Sequence, residues 1–504
     1  MPAVENPYAL NDVPLRDIVS NVLSGTLSPE AILAAYQEVH RATHQRINAQ
    51  VQPSDSRVFL DAQRLTRMPQ GALAGVTVSV KDCFAVEGLA TTLGVPLRVG
   101  AVDESDCSLV SRLRMLGALV VGKSNVPQLM YLHETSNPLW GQTNHPFDSR
   151  RSPGGSSGGD AALVAAGVVM LGIGNDLLGS IRQPAHACGI AGFVPSDTIL
   201  GSGDAFNTMP SQMVVRARAG FLARRVDDLA MAMESLAVCR SEPSAVEKMR
   251  VGWWLDSGPI QPSPAVSRAV EEASMRISMS GVDIKRISGH LSIDAAWLHL
   301  AIVAADGGRE VRQWLQNSRP MRDVERLLRL AALPRSVRHT VAQLAQWTGR
   351  SIEAEALRAT GIRTDDEFME LVKRRESIRA QWQSMLFEQR CDVILCPVSA
   401  LPAMPHGLAS KLLLAAMPCF AANLLGLPCG TVPVSIVGQE EQYSRGASWD
   451  PVRQAARKTD FGSSGLPVGV QVIGRPGGDI EVLDVMRRIE RYSAEYGKSS
   501  HRRV

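Results

Sequence analysis

Two serines in small-residue loops and one lysine are the residues whose types and spacing could do chemistry. Ser156 lies in the segment SPGGSSGG, and Ser180 lies in a second small-residue turn, NDLLGSIRQPA, beyond an apolar stretch. A serine hydroxyl is a poor nucleophile unless a neighbouring base takes its proton. The two loops therefore predict a nucleophilic site only if a base accompanies them.

Histidine is the usual base, and His186 follows Ser180 closely, but nothing in the sequence places it with a partner carboxylate. A lone histidine of this kind is typical of the core. The alternative base is Lys81, at the end of a predicted apolar strand. Burial would hold it neutral, because desolvation disfavours the charged form of an amine. At this point Lys81 is either that base or an ordinary residue at the end of a strand.

The elements that must position these residues alternate between strands and helices. Stretches rich in apolar and β-branched residues predict strands at 75–80, 118–122, 391–395, 430–434 and 465–474. The stretch 161–174, AALVAAGVVMLGIG, is shorter than the roughly 18 residues that cross a bilayer, and we predict a buried helix there. This alternation favours an α/β fold.

The domain organisation is predicted from changes in composition and hydrophobic pattern along the chain. Residues 1–70 are predicted as an N-terminal helical segment, in which Ser28 and Pro29 supply an N-cap and a first helical residue. Residues 71–495 are predicted as the main domain. Amphipathic, charge-rich helices at 264–279 and 365–387 predict a helical insertion at about 240–390.

Composition excludes several classes of protein. The chain has 504 residues, of which 45% are hydrophobic and 20% charged, so disordered, collagen-like and disulfide-scaffold classes are excluded. Lys+Arg 53 against Asp+Glu 50 gives a net charge of +3, which argues against a nucleic-acid partner. Residues 1–6 lack the pattern of a secretory signal, which favours a cytoplasmic location. The eight cysteines show no metal-site spacing and are expected to be reduced, buried thiols.

The serines and the lysine lie in blocks that resemble the amidase signature family. The matching blocks, in the family's order, are GVTVSVKD, GKSNVPQ, ETSNPLWGQTNHPFDSRRSPGGSSGGDAALVAAG, GSIRQPAHACGIAGFVPS, CDVILCPVSALPA and GLPVGVQVIGRPGGD. They span most of residues 70–495. The resemblance implies a large mixed β-sheet covered by helices on both sides.

The resemblance also implies a Ser-Ser-Lys triad. Ser180 would attack the amide carbonyl, Ser156 would relay its proton through a cis peptide, and Lys81 would be the neutral base. The oxyanion would be held by the backbone N–H groups of the nucleophile loop, Leu177, Leu178, Gly179 and Ser180. The residues expected to support the site are Ser157, Asp176 and Arg182. No metal or organic cofactor is implied.

The nucleophile loop departs from the family pattern at one glycine. The family usually has Thr-Asp-x-Gly-Gly-Ser, whereas this chain has Asn175-Asp176-Leu177-Leu178-Gly179-Ser180, so Leu178 replaces a glycine. If that position needs a positive φ or room for substrate, a leucine reshapes the oxyanion hole. Because all three triad residues are kept, we expect an altered substrate site.

The middle and C-terminal parts look most like the fatty acid amide hydrolase branch of the family. That branch uses apolar helices as a membrane-facing cap, which would correspond to residues 322–348. Leucines in this region are interrupted by Arg322, Arg326, Arg329, Arg335 and Arg338. A membrane cap and an ordinary surface helix pair both stay open.

Three functional hypotheses follow. The first is a serine amidase with an apolar, fatty or aryl, acyl pocket. The second is an acyltransferase or amide-forming enzyme that uses an amine acceptor. The third is a catalytically impaired binding protein or subunit. We expect a small-molecule amide substrate, no transmembrane segment and a homo-oligomer, and contact with a membrane surface stays open. The related amidotransferase subunit that works on tRNA fits less well, because the net charge is near neutral.

Overall fold

The computed structural model describes residue 10 and residues 12–236 and 249–496. The helices in these ranges are α1 Leu15–Leu23, α2 Pro29–Ile47, α3 Asp55–Arg67, α4 Ser108–Met115, α5 Gly158–Ala165, α6 Arg182–Cys188, α7 Val226–Ser235, α8 Pro264–Met279, α9 His290–Val303, α10 Arg309–Gln313, α11 Arg322–Ala331, α12 Arg335–Trp347, α13 Ser351–Ala359, α14 Asp365–Glu388, α15 Ala409–Leu412, α16 Phe420–Leu425, α17 Pro451–Asp460 and α18 Asp479–Tyr496. The strands are β1 Gln50–Pro53, β2 Thr77–Lys81, β3 Leu119–Ser124, β4 Ser136–Asn137, β5 Gly141–Gln142, β6 Leu171–Asp176, β7 Ala191–Val194, β8 Arg218–Ala223, β9 Arg250–Trp253, β10 Asp283–Arg286, β11 Val393–Pro397, β12 Cys429–Ile436 and β13 Pro467–Gly474.

Eleven of the described strands form one mixed sheet in the order β1-β3-β2-β6-β8-β7-β12-β13-β11-β9-β10. Strand β2 is parallel to both β3 and β6, and the strands from β6 through β8, β7, β12 and β13 to β11 pair antiparallel. Most of these strands are buried along their whole length, which requires cover on both faces. This confirms the expected α/β fold with a large mixed sheet.

The N-terminal segment begins as the sequence predicts. Helix α2 starts at Pro29, and the Ser28 hydroxyl accepts a hydrogen bond from the Ala31 N–H at 3.1 Å. The described residues of this segment form α1, α2 and α3, but they also contribute β1, which pairs antiparallel with β3 at the edge of the sheet. The division at residue 70 stays a prediction about domains.

The predicted buried helix at 161–174 is wrong in its second half. Helix α5 ends at Ala165, Gly167 turns the chain with φ 70°, and β6 begins at Leu171. A short apolar run cannot be assigned to helix or strand by periodicity alone. Residues 171–173 pair with β2 and β8, so the pairing between distant segments decides the strand.

The predicted helical insertion at about 240–390 contains α8 to α14 but also β9 and β10, which belong to the main sheet. Its residues 240–248 lie outside the described residues. Helix α14 begins with a capping box, in which the Thr364 hydroxyl accepts from the Glu367 N–H and the Glu367 carboxylate from the Thr364 N–H. Its buried Trp382 packs edge-on against Trp254, with ring centroids 6.1 Å apart. This contact fastens the long helix to the sheet domain.

The seven cysteines within the described ranges are buried and free of disulfides, as expected, and Cys239 lies outside these ranges. No helix in the described part of the chain is both long and apolar enough to cross a membrane. Residues 1–6, on which the expectation about a secretory signal rests, are not among the described residues.

Gly220 tests the packing at the centre of the sheet. It lies on β8 opposite Gly174, and a Cβ added there would stand 2.2 Å from the Phe193 carbonyl oxygen. We expect Gly220→Ala to lower the free energy of unfolding by about 1–3 kcal/mol or more, because the strands must separate to admit the methyl group. Urea unfolding measures this. Gly446→Ala, at an exposed position with open space around it, is the control and should change stability by less than about 0.5 kcal/mol.

Candidate active site

The candidate site lies where two parallel strands end side by side. Strands β2 and β6 pair in parallel, with Val80 opposite Ile173. Their carboxyl ends therefore lie at one edge of the sheet, where β2 ends in Lys81 and β6 ends in Asn175 and Asp176. The loop before α5 and the loop after β6 both reach this edge, and they carry Ser156 and Ser180.

Lys81 is fully buried and held by three polar contacts. Its Nζ lies 2.7 Å from Ser156 Oγ and 2.7 Å from Asn175 Oδ1, and it donates to the Asn175 carbonyl oxygen at 3.3 Å. The side chain has no exposed area. Burial lowers the pKa of Lys81 to about 8, against the smaller opposing effect of the neighbouring Cys83, Asp160 and Asp176.

Asp160, beside the lysine, is also buried. It accepts hydrogen bonds from the hydroxyls of Ser79 and Ser124, each at 2.7 Å. Burial raises the pKa of Asp160 to about 6, although both hydrogen bonds act to lower it. Its carboxylate occupies the interior between β2, β3 and α5, so it supports the elements that carry Lys81 and Ser156.

Ser156 enters the site through a cis peptide bond between Gly155 and Ser156. A Cβ on Gly155 would stand 2.7 Å from the Leu132 carbonyl oxygen, so only glycine fits there. The next residue, Ser157, donates its backbone N–H to the Ser180 carbonyl oxygen at 3.0 Å. This contact ties the two serine loops together.

The nucleophile loop is held from inside by a buried ion pair. Asp176 accepts from the N–H groups of Gly179, at 2.8 Å, and Ile181, at 3.0 Å. Arg182 pairs with the same carboxylate at 2.8 Å and also donates to the carbonyl oxygen of Cys419. Burial alone would raise the pKa of Asp176, but the Arg182 guanidinium holds it well below its usual range. The loop is therefore fastened around a carboxylate that stays charged.

The backbone at Leu178 does not need the conformational freedom of the glycine that is usual at this position in the family. Its φ is not positive, whereas Gly179 has φ 91° and is placed so that a Cβ would stand 2.8 Å from Cys419 Cβ. Of the four predicted oxyanion donors, the Gly179 N–H is engaged by Asp176. None of the described residues accepts a hydrogen bond from the N–H groups of the other three, Leu177, Leu178 and Ser180.

Two histidines that sequence reasoning missed hold the outer side of this loop. Nε2 of His133 lies 2.9 Å from the Leu178 carbonyl oxygen, and Nε2 of His299 lies 2.9 Å from the Leu177 carbonyl oxygen. Burial lowers the pKa of both histidines to about 4, so both are neutral near pH 7. His133 directly precedes the family-like block that begins at Glu134, and His299 lies among apolar residues of α9, so neither gives a sequence signal.

Both serines face one cavity of about 560 Å³. Ser156 is 2% and Ser180 8% exposed, and both line its wall. The wall is mostly apolar, with contributions from the nucleophile loop, from residues 200–217 and from α9, α11, α12 and α13; apolar lining residues include Leu177, Leu178, Phe206, Leu300, Leu327, Leu330, Val341 and Ile352. Arg326, Arg350, Glu353 and Lys411 also line it.

The structure thus brings together all the predicted site residues. The lysine contacts one serine, that serine and the second share a cavity, and Asp176, Arg182 and Ser157 fasten the loops around them. Sequence reasoning missed Asn175, the second partner of Lys81. The family usually has a threonine at this position, and the change to asparagine is the sequence signal that could have indicated its role. His186 is a core histidine instead, with both ring nitrogens near carbonyl oxygens.

The fold is that of the amidase signature enzymes. The solved structure of a fatty acid amide hydrolase superposes on this chain with a TM-score of 0.80 at 21% identity, covering 99% of this chain and 87% of the other. A crystal structure of an amidase gives a TM-score of 0.74 at 24% identity, covering 95% of this chain and 100% of the other.

Sequence comparison extends this from fold to family. A model of the amidase family matches residues 31–483. The chain is 31% identical to fatty-acid amide hydrolase 1 of Sus scrofa over 96% of this chain and 86% of that protein. The chain therefore belongs to the amidase family, as the sequence resemblance indicates. It is an amide hydrolase, which acts on the C–N bond of carboxylic amides.

The buried ion pair gives a stability prediction. Arg182→Met leaves the buried Asp176 carboxylate without its cation, and we expect a loss of about 3–5 kcal/mol in the free energy of unfolding. Chemical denaturation measures it. The matched control is Lys373→Met, which removes a lysine paired with Glu370 on the surface, where both side chains are about 70% exposed. An equal loss in the two variants would contradict a structural role for the Asp176–Arg182 pair.

Proposed function

We propose that the protein is a serine amidase that forms an acyl-enzyme on Ser180, with Ser156 and Lys81 as the proton relay, and that it prefers apolar, fatty or aryl, acyl groups. The observation that carries this proposal is the 2.7 Å contact between Lys81 Nζ and Ser156 Oγ at a cavity that Ser180 also lines. A lysine in contact with one hydroxyl, and a second hydroxyl at the same cavity, are the groups that a proton relay to a serine nucleophile needs.

In the first half of the reaction, Ser180 Oγ forms a bond to the amide carbonyl carbon. The Ser180 proton passes to Ser156 Oγ, and the Ser156 proton passes to the neutral amine of Lys81. The same relay returns the proton to the leaving nitrogen as the C–N bond breaks. Water then attacks the ester on Ser180 with Lys81 again as base, which releases the acid and the free enzyme.

The neutral form of Lys81 fits its surroundings. A neutral amine has two N–H donors and one lone pair, and Asn175 offers two oxygens while the Ser156 hydroxyl can donate to the lone pair. The N–H groups of Leu177, Leu178 and Ser180 are the donors available to the oxyanion. The Gly179 N–H, which donates to Asp176, shapes the loop in this mechanism.

The cavity supports the preference for an apolar acyl group. A binding space of about 560 Å³ with leucines on most of its walls has room for a long or aromatic acyl chain. Leu178 lies at its catalytic end, beside Ser180. The similarity to fatty-acid amide hydrolase 1 of Sus scrofa points in the same direction.

Labelling with a fluorophosphonate tests the nucleophile. We expect one adduct by intact-protein mass spectrometry in the wild type and none in Ser180→Ala, because only an activated serine reacts with this probe. Incubation with acyl amides of increasing chain length then measures acid release, which should be fastest for the longer apolar chains. Acyl-enzyme that accumulates and is released only by added amines would indicate an acyltransferase. Absence of an adduct in the wild type would contradict the proposal.

The pKa of Lys81 predicts a pH profile. Because the base must be neutral, and burial sets the pKa of Lys81 to about 8, we expect kcat/KM to rise with pH and to level off above about pH 8. Lys81→Met should lower kcat by about 10²–10⁴ at neutral pH, the usual contribution of a general base, and should remove this limb. Full activity of this variant at neutral pH would contradict the triad. Lys373→Met, far out on the surface, is the control for the loss of a lysine.

Three expectations from the sequence stay predictions beside this proposal. They are a cytoplasmic location, a homo-oligomeric state and catalysis without metal or organic cofactor. Size-exclusion chromatography with light scattering measures the second, and activity after exhaustive chelation and dialysis measures the third.

A further inference from the structure

The nucleophile loop carries two outward carbonyl groups, and each meets a buried histidine from a different part of the chain. His133 comes from the loop that precedes β4, and His299 comes from α9 in the helical insertion. Both Nε2 atoms lie 2.9 Å from their carbonyl oxygens. Since a carbonyl oxygen only accepts, each Nε2 carries the hydrogen and donates it.

These contacts set the direction of the loop's N–H groups. In a trans peptide the C=O and the N–H point to opposite sides. His299 holds the oxygen of the Leu177–Leu178 peptide, so the Leu178 N–H is directed away from His299. His133 holds the oxygen of the Leu178–Gly179 peptide, whose N–H donates to Asp176 at 2.8 Å. The second peptide is therefore fixed at both ends, and the first is fixed by His299 alone.

Neither histidine uses its second ring nitrogen. Nδ1 of His133 and Nδ1 of His299 are buried without a hydrogen-bond partner in the described part of the chain. The one hydrogen bond that each ring makes therefore goes to a carbonyl oxygen of the nucleophile loop, which would be left without this donor if an apolar side chain replaced the histidine.

We propose that His299, assisted by His133, is a positioning residue that orients the Leu178 N–H toward the oxyanion of the reacting amide. This rests on the proposed function. In this loop Leu178 replaces the glycine usual in the family, and the histidine donors fix the peptide from outside. The helical insertion, through α9, thereby takes part in assembling the oxyanion hole.

The test compares His299→Leu, which removes the donor, with His299→Gln, whose amide N–H can take the place of Nε2–H. A displacement on the order of 1 Å at a reacting centre costs about 10²-fold in rate. We therefore expect His299→Leu to lower kcat by about 10- to 100-fold with KM changed less than about threefold, and His299→Gln to keep most of kcat. The rate of fluorophosphonate labelling of Ser180 should fall in parallel with kcat.

His145→Leu is the matched control. His145 is also buried, and its Nε2 lies 2.8 Å from the Ala187 carbonyl oxygen, away from the nucleophile loop. Its Nδ1 in addition accepts from the Phe147 N–H at 3.2 Å. We therefore expect His145→Leu to lose at least as much stability as His299→Leu in urea unfolding, but only His299→Leu to lose kcat. Should His299→Leu not fold, His299→Asn, whose shorter amide does not reach the carbonyl, takes its place against His299→Gln.

The outcomes distinguish a failure of the positioning role from a failure of the proposed function. A wild type that is not labelled at Ser180 contradicts the proposed function. A labelled, active wild type together with wild-type kcat in His299→Leu overturns the positioning role alone. An equal loss of kcat in His145→Leu, or no recovery in His299→Gln, overturns it as well, because the effect would then come from general destabilisation.

Discussion

The burial of one amine constrains the architecture of the whole site. Lys81 has no exposed area, and an ammonium group so placed would be costly unless it could lose its proton. The chain surrounds it with hydroxyl and amide oxygens instead of a contacting carboxylate, and burial lowers its pKa to about 8. The elements that carry those oxygens must be positioned accurately. The parallel pairing of β2 with β6 positions Asn175, and the close backbone approach at Gly155 positions Ser156.

Burial acts differently on the Asp176 carboxylate and on the basic side chains around it. Asp176 stays ionised because Arg182 and the loop N–H groups stabilise it, so it holds the nucleophile loop firmly. Lys81, His133 and His299 are instead pushed toward their neutral forms by burial. The ionised Asp176 therefore makes the loop rigid, and the two neutral histidines donate hydrogen bonds to it.

The cavity wall is built from two different parts of the chain. The catalytic end comes from the loops at the sheet edge, whereas much of the apolar wall comes from α9 and α11 to α13 in the insertion. Helices of the insertion pack on the sheet domain through contacts such as Trp254 with Trp382. Changes in those helices can alter the acyl space while the lysine and the serines keep their places. His299 is the exception, since it reaches from the insertion to the nucleophile loop.

The sequence by itself determined the α/β class, the start of α2 at Ser28 and Pro29, and the choice of Lys81, Ser156 and Ser180 as candidate site residues, because these depend on local composition and on blocks of contiguous residues. It could not decide that 171–176 is a strand, since that follows from pairing with β2 and β8. Nor could it show that Asn175 contacts Lys81, or that His133 and His299 hold the nucleophile loop. Those contacts join residues up to 122 positions apart, and only the packing of the tertiary structure brings their atoms within hydrogen-bonding distance.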